Sequence, residues 1–493
     1  MGIDFDDALE RVGGLGYIQR LHMLLLFALG IFQGPFIMTL VFVGKEPNYR
    51  CQGHAHEVNA CDLEPPCQNF VYGTEFTSIV SEWDLVCEKK RDVGYAQSLV
   101  MLGFLAGVVV LGRTADKCGR LKTYAWSMFC VVVAQALSAF TQNLYQYSAT
   151  RFVLGFFCGG GGLAGHVWML EALLPKMRAL IGAIFHCSFA FGIAIYALMA
   201  YFIRDWRHLT IVTCIPMVIL VLVPLVVPES ALWLASKGQS DKAEDILYKM
   251  GRTNGLKVTR SMLSLNSRIN ETKVKASHGT LDLFRTPIMR MRMMILMITW
   301  FTCCLTYYGL TFGASGLGGN MYINLALSGL VEVPASLLSV CSLNRLGRRP
   351  TMAGSLFIAS VSCLGVVAFP KSPDGAMSSA QTCLALIGKM GISVSFNTLY
   401  LFSSELLPTV LRNTGMGVCS MSARVGGIIA PMLPPFGDRV AYLTFGIVAL
   451  LSSILDLSLP ESLNKPLPET VADVEIPTHW ASSDKEEKLL SES

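Results

Sequence analysis

The sequence predicts an all-α membrane protein of twelve transmembrane helices, arranged as two six-helix pseudo-symmetric halves. Three observations lead there. Of 493 residues, 52% are hydrophobic and only 15% charged, whereas a soluble domain carries about 25% charged residues. Six stretches, 21–44, 93–112, 123–150, 179–203, 208–228 and 351–370, contain no Asp, Glu, Lys or Arg, and each reaches the roughly 20 residues that a spanning helix needs. The same short polar signals also recur in both halves of the chain. A net charge of +4 with no basic block leaves no footprint for a nucleic acid.

The elements follow in chain order. Residues 1–20 form a cytoplasmic N-terminus; Asp4, Asp6, Asp7 and Glu10 stand where a secretory signal needs basic residues, and Asp6 spoils a myristoylation pattern. The first half, 21–227, holds spans at 21–43, 94–112, 124–141, 149–171, 179–202 and 208–227. Its large outer loop, 45–92, contains Cys51, Cys61, Cys67 and Cys87, which read as two disulfides with three pairings open. His54 and His56 on that loop read as surface residues, and no metal site is expected. The other eleven cysteines read as small apolar core residues. Residues 228–292 form a polar, basic cytoplasmic loop, helical around 241–250, where the sequon at Asn270 stays unmodified.

In the second half, 293–459, the uncharged run 293–331 is too long for one span, and the glycines of 313–320 divide it. Its spans are 293–313, 321–342, 351–369, 377–403, 413–435 and 440–458. The tail, 460–493, is cytoplasmic, and from Glu469 onward it is charged, Ser-rich and expected to be disordered. Short loops on the N-terminal side of the membrane carry Arg113, Lys117, Arg120, Lys122, Lys176, Arg178, Arg345, Arg348, Arg349 and Arg412, against Arg204, Arg207, Lys371 and Arg439 on the other side. The positive-inside rule therefore places both termini in the cytoplasm.

The repeat is specific. Asp116 to Arg120 after the second span matches Asn344 to Arg349 after the eighth; Glu171, Pro175 and Arg178 match Glu405, Pro408 and Arg412; Pro228-Glu229-Ser230 matches Pro460-Glu461-Ser462, all offset by 228 to 234 residues. Six spans repeated twice is the architecture of a transporter with two parallel halves. The matched sites pair opposite charges, each exposed pair worth about 0–1 kcal/mol. Asp116, Arg120, Glu171, Arg178, Glu229, Arg348, Glu405, Arg412 and Glu461 are therefore read as a cytoplasmic gate, the alternative being solvated helix ends that set topology. Gly159 to Gly162 read as tight helix packing, since no Lys-Ser/Thr follows to make a phosphate loop.

The motifs Glu82 to Cys87, Pro228-Glu229-Ser230 with Trp233-Leu234, Tyr307 to Leu310, Leu330 to Ala335 and Arg412 to Gly417 carry a resemblance. The chain resembles the major facilitator superfamily and, within it, the organic cation, organic anion and carnitine transporter family, over nearly its whole length. Asn344 departs from the acidic residue usual in the second loop motif, and the outer loop is poorer in cysteine than in many members. The resemblance implies a multi-pass plasma-membrane transporter of small organic ions, not an enzyme.

Ionisable groups inside a span cost roughly 2.5–3.5 kcal/mol on insertion scales and tend to face a cavity. Glu332 and Arg424 lie 11 to 12 residues above the inner ends of spans eight and eleven, hence near the bilayer midplane, and Lys389 lies nearer the outside. Polar stripes surround them: Asn324, Ser328, Glu332, Ser336 and Ser339 on the eighth span; Lys389, Ser393, Asn397, Tyr400 and Ser404 on the tenth. Trp300, Cys304, Tyr307 and Thr311 share a face of the seventh, beside Tyr308. The serines are equally read as close helix packing.

Similarity to the family implies more. Its cation carriers have an acid where this chain has Arg424, and its anion carriers add a Lys where this chain has Ser336. One acid with one base matches the carnitine-type branch. The leading expectation is a zwitterion of carnitine or betaine type, its carboxylate on Arg424 and its ammonium on Glu332 with Trp300, Tyr307 and Tyr308. Lys389 supplies a second cationic field, and Asn324, Ser328, Asn397 and Tyr400 complete the pocket. A fixed Glu–Arg or Glu–Lys bridge is the alternative for these charges. An organic cation facilitator or anion exchanger is the first rival function, and a non-transporting receptor on a transporter fold the second. No cofactor is implied; coupling to sodium or to protons stays open, as does the oligomeric state.

Overall fold

The computed structural model describes residues 5–14, 16–52, 61, 67, 69–264, 280–314, 319–369 and 375–475. The chain divides into two units, Met1–Ala276 and Ser277–Ser493. The first opens with α1 (Phe5–Arg11), α2 (Tyr17–Met38) and its short continuation α3 (Leu40–Val43). After the strands β1 (Tyr49–Cys51) and β2 (Phe70–Tyr72) come α4 (Ile79–Glu82), α5 (Lys90–Cys118), α6 (Arg120–Ser138) and α7 (Leu144–Glu171). The unit ends with α8 (Pro175–Phe202), α9 (Trp206–Leu222), α10 (Ala231–Ser236) and α11 (Ser240–Thr253).

Local chemistry starts these helices where they start. Asn143 caps α7 by accepting from the Gln146 amide, and Asp205 caps α9 by accepting from His208. Burial pushes the Asp205 carboxyl up, but the His208 amide and the Thr77 hydroxyl hold it below the usual carboxylate range. Pro175 opens α8, where a missing N–H costs nothing. α5 and α7 touch backbone to backbone: a Cβ on Gly107 would stand 1.8 Å from the Phe156 carbonyl, and one on Gly159 2.6 Å from that of Phe104. The expected packing role of the glycine run is borne out.

The described residues of the 45–92 loop hold a two-stranded sheet and two disulfides. β1 pairs antiparallel with β2, Tyr49 opposite Tyr72 and Cys51 opposite Phe70. Cys51 bonds Cys67 and Cys61 bonds Cys87, one of the three pairings left open. The Glu82 to Cys87 motif anchors the loop to the bundle: Trp206 Nε1 donates to Glu82 at 2.7 Å, Arg207 pairs with the same carboxylate, and the Trp83 ring meets Trp206 and Tyr147 edge-on. His54, His56 and the Asn270 sequon lie outside the described residues.

At the opposite end, α1, α10 and α11 bury Phe5, Leu9, Leu234, Leu247 and Met250 in one apolar cluster. Asn254 fastens it, donating to Val12 O and Gln19 Oε1 and accepting from the Ile18 amide. The N-terminal segment is thus packed onto the polar loop that follows the sixth span.

The second unit comprises α12 (Pro287–Gly313), α13 (Met321–Leu330), α14 (Glu332–Arg345), α15 (Arg348–Ala368), α16 (Gly375–Leu406), α17 (Arg412–Ile429), α18 (Asp438–Asp456) and α19 (Val471–Glu475). Among the described residues, eleven helices are long and apolar enough to cross a membrane. α6, whose first turn carries Arg120 and Lys122, fills the remaining place, giving the expected twelve. Several helices overrun the expected spans by one to two turns; α5 reaches Cys118 and α12 begins at Pro287. Hydropathy marks only the hydrocarbon depth, while helical hydrogen bonding continues into the interface.

Two expectations need correction. The tail is ordered as far as Glu475: Val474 is buried, Thr409 donates to Pro468 O at 3.0 Å, and Glu475 accepts from the amides of Ile288 and Met289 at 3.0 Å each. A carboxylate capping a helix start outweighs a polar composition. Cys118, Cys341 and Cys383 are exposed rather than core residues, a small thiol costing little wherever a helix face is left uncovered.

Candidate functional site

The eighth span is broken where its charge sits. Pro334 has no N–H to give to the Leu330 carbonyl, so α13 ends at Leu330 and α14 begins at Glu332. Glu332 therefore occupies the first turn of a helix, where the dipole favours a carboxylate. Its Oε1 accepts from the Tyr307 hydroxyl at 2.8 Å and lies 3.0 Å from the Lys389 ammonium. Lys389 also donates to Thr311 Oγ1 at 2.6 Å, and its nitrogen stands 3.2 Å from the centre of the Tyr307 ring. Lys389 is 1% exposed and Glu332 8%, so α12, α14 and α16 meet at a buried ion pair roofed by an aromatic face.

Of the readings the sequence left for these charges, the structure has the Glu–Lys bridge given as the alternative; the leading expectation is corrected, since Glu332 finds its cation in Lys389, which is a direct partner and not a second field. The helical stripe gave each helix a face, but which two faces meet depends on how the helices rotate in packing. Breaking a buried pair by deleting one partner costs about 3–5 kcal/mol.

Beside the pair runs the aromatic wall. Trp300 donates from Nε1 to Ser403 Oγ at 2.9 Å, and its ring lies 4.6 Å from that of Tyr400. Phe396 links the two ends of the wall, 5.6 Å from Tyr400 and 5.8 Å from Tyr307. Tyr400 is 38% exposed. Tyr308 stacks on Phe312 at 5.8 Å and meets the Tyr307 ring edge-on at 5.3 Å, while Tyr307 is the member of this wall that donates to the Glu332 carboxylate. Arg424, half-buried on α17, is within electrostatic reach of Tyr400 and Cys304. Gly426 lets α17 come that close to α12, for a Cβ there would stand 2.4 Å from the Phe301 carbonyl.

Asn324 and Ser328 are buried on α13, about two turns and one turn before Glu332 respectively. Asn397 donates to Ser336 Oγ at 3.1 Å. Ser336 and Ser393 donate to carbonyls four residues back, of Glu332 and Lys389, so the Ser393 hydroxyl serves its own helix and that of Ser336 also ties α14 to α16, in line with the packing alternative.

The repeated charges form one closed network in each unit. In the first, Arg120 pairs with Asp116 and lies 3.5 Å from Glu171; Glu171 accepts from the Ser230 hydroxyl; Glu229 accepts from the Leu121 amide at 2.9 Å. In the second, Arg348 grips Glu405 with two donors at 3.0 and 3.1 Å, and Ser462 donates to the same carboxylate at 2.6 Å. Glu461 accepts from the amides of Arg348, Arg349, Ser462 and Leu463. Arg412 stands apart from this network, its described bonds going to Leu407 O and Thr409 Oγ1. The Arg178 side chain lies outside the described residues.

Four groups escaped the sequence reading. Phe396 follows Lys389 by seven residues and so shares its face, a signal the polar stripe obscured. Ser403 offered none. Arg151, fully buried on α7, donates to Gln135 Oε1 at 2.6 Å and Phe36 O at 2.8 Å; the expected span 149–171 contained it without giving it a role. Asp456 closes α18 fully buried and accepts from Thr299 Oγ1 at 2.7 Å.

A family model described as "Sugar (and other) transporter" matches residues 53–469. The chain is 36% identical to "Solute carrier family 22 member 15-like" of Xenopus laevis, covering 99% of this chain and 100% of that protein. It is 34% identical to "Solute carrier family 22 member 3" of Rattus norvegicus over 96% and 95% of the two chains, and 34% identical to "Organic anion transporter 3" of Homo sapiens over 98% and 95%. In fold it matches the inward-open xylose transporter XylE from E. coli, with a TM-score of 0.67 at 16% identity over 93% of this chain and 99% of that one. The chain belongs to solute carrier family 22: it is a multi-pass membrane transporter of small organic ions with the major facilitator fold, not an enzyme.

Proposed function

We propose that this transporter carries small organic acids, zwitterions included, across the plasma membrane by alternating access, the substrate's carboxylate addressing Arg424 and its body lying along Trp300, Tyr400, Phe396 and Tyr307. One observation carries the reading: Lys389 already neutralises Glu332 at 3.0 Å, so with Arg424 these three charges sum to +1. A guanidinium presents a planar fork to a carboxylate, and aromatic faces suit the apolar or cationic remainder of a small organic ion. The names of two relatives, an organic anion transporter in Homo sapiens and an organic cation transporter protein in Drosophila melanogaster, span both charge classes, so residues rather than family decide the sign.

A zwitterion of carnitine or betaine type is the second reading. It is favoured by the Trp300 and Tyr400 rings, 4.6 Å apart, whose faces suit an ammonium. The networks around Arg120 and Arg348 hold their helix ends as gate elements, with Glu229 and Glu461 on helix N-termini.

Uptake of labelled p-aminohippurate, carnitine and tetramethylammonium by cells expressing wild type and Arg424→Ala, with and without sodium, tests this. Anion and zwitterion uptake by wild type, reduced at least about tenfold by Arg424→Ala, is the expected result. Anion uptake that survives the substitution, or uptake of the cation alone, overturns it.

A further inference from the structure

The pocket around Glu332 has every feature of a site for an ammonium ion: a carboxylate, a hydroxyl acceptor and the face of a phenol ring. It is filled by the chain's own ammonium. Lys389 reaches across from α16 to place its nitrogen 3.0 Å from Glu332 Oε1, 2.6 Å from Thr311 Oγ1 and 3.2 Å from the Tyr307 ring centre. The Tyr307 hydroxyl holds the carboxylate from the far side at 2.8 Å, and the lysine is 1% exposed.

We propose that Lys389 is a tethered occupant of an ammonium subsite formed by Glu332, Tyr307 and Thr311, and that it sets charge selection by excluding free amines and quaternary ammonium ions from that subsite. The inference rests on reading the aromatic wall as the place where substrate binds.

The physical argument is one of competition. A tethered group meets its site at an effective concentration of millimolar order or higher, so a dilute free cation loses to it. Any other cation entering also has to leave the displaced lysine buried without its carboxylate, which is unfavourable. A carboxylate-bearing substrate meets no such competitor. A single side chain on the tenth span thereby turns what would be a cation-binding carboxylate into a neutral wall. Removing the tether should reverse the preference, because an unpaired Glu332 beneath an aromatic face is then the strongest cation site in the unit.

The test compares wild type, Lys389→Ala and Lys389→Ala/Glu332→Gln for surface abundance, tetramethylammonium uptake and protection of the purified protein from heating by tetramethylammonium. The expected result is a gain on the order of tenfold in cation uptake, with thermal protection, in Lys389→Ala only; the double variant loses both. A Lys389→Ala protein that reaches the surface yet gains neither uptake nor protection overturns the proposal. If Lys389→Ala fails to reach the surface, cells are grown with membrane-permeant trimethylamine. Recovery of surface protein supports the subsite, and no recovery overturns it. Wild type that carries no organic acid would refute the proposed function instead, since the Lys389 result is read on the cation alone.

Discussion

Glu229 and Glu461 do the same work at equivalent places, each offering a carboxylate to the first amides of the helix that follows a glycine turn. The turn itself needs glycine. Gly119 and Gly347 have φ of +114° and +96°, a region other residues enter only with strain. The space is also taken: a Cβ on Gly347 would lie 2.7 Å from Glu461 Oε2, an oxygen fixed by backbone amides and not free to swing away. Gly347→Ala should therefore destabilise the protein by about 1–3 kcal/mol, seen as a lower unfolding temperature of the purified protein. Gly354, one helical stretch later on α15, has open space where its Cβ would go. There the same substitution should be neutral or stabilising by up to about 1 kcal/mol, since alanine favours helix. Equal effects at the two positions would contradict this account of the turn.

At the level of elements, the broken eighth span and the docked tail show two ways a short signal overrides composition. Pro334 alone splits α13 from α14 and thereby gives Glu332 a helix start. α19 is only five residues long, too short to be stable by propensity, and it holds because Glu475 caps α12. Burial pushes the Glu475 carboxyl up, but the Thr286 hydroxyl, the amides of Met289 and Ile288 and the charge of Arg292 outweigh it and hold it below the usual carboxylate range. A depressed carboxylate stabilises its docked state above the undocked value, about pH 4.3, and that contribution fades as pH falls through the docked one. Hydrogen-exchange protection factors of residues 470–475 should accordingly fall between pH 6 and pH 3. In Glu475→Gln they should be low at both pH values, because a neutral amide keeps neither the charge nor the pH dependence. Protection in wild type that does not change with pH would show that α19 docks for another reason.

Over the whole molecule, what the sequence made readable is what depends on many residues at once. Twelve spans, the duplication at 228 to 234 residues and two disulfides in the outer loop all emerge from long-range counting. The site was readable in its residues, while its Glu–Lys pairing was readable only as one of two bridges left open. Lys389 and Arg424 are both cations on polar faces, and only the rotation of α16 and α17 against α12 and α14 decides which one Glu332 meets. The stretch 469–475 was misread because one capping contact is invisible to composition. Orientation across the bilayer has two independent supports. The loops assigned inside by charge carry Arg113, Lys117, Arg345, Arg348 and Arg349 among others, the side that basic residues mark. The loop assigned outside carries the bonds Cys51–Cys67 and Cys61–Cys87, which form and persist only on the oxidising side. On both grounds we propose that the N-terminus and the tail lie in the cytoplasm. Epitope tags at residue 1 and residue 493 should therefore stay unlabelled by antibody in intact cells and become labelled on permeabilisation, while a tag within 53–60 should be labelled without it. Labelling of either terminus in intact cells would require the charge bias and the disulfides to point the wrong way together, and would invert the assignment of every loop.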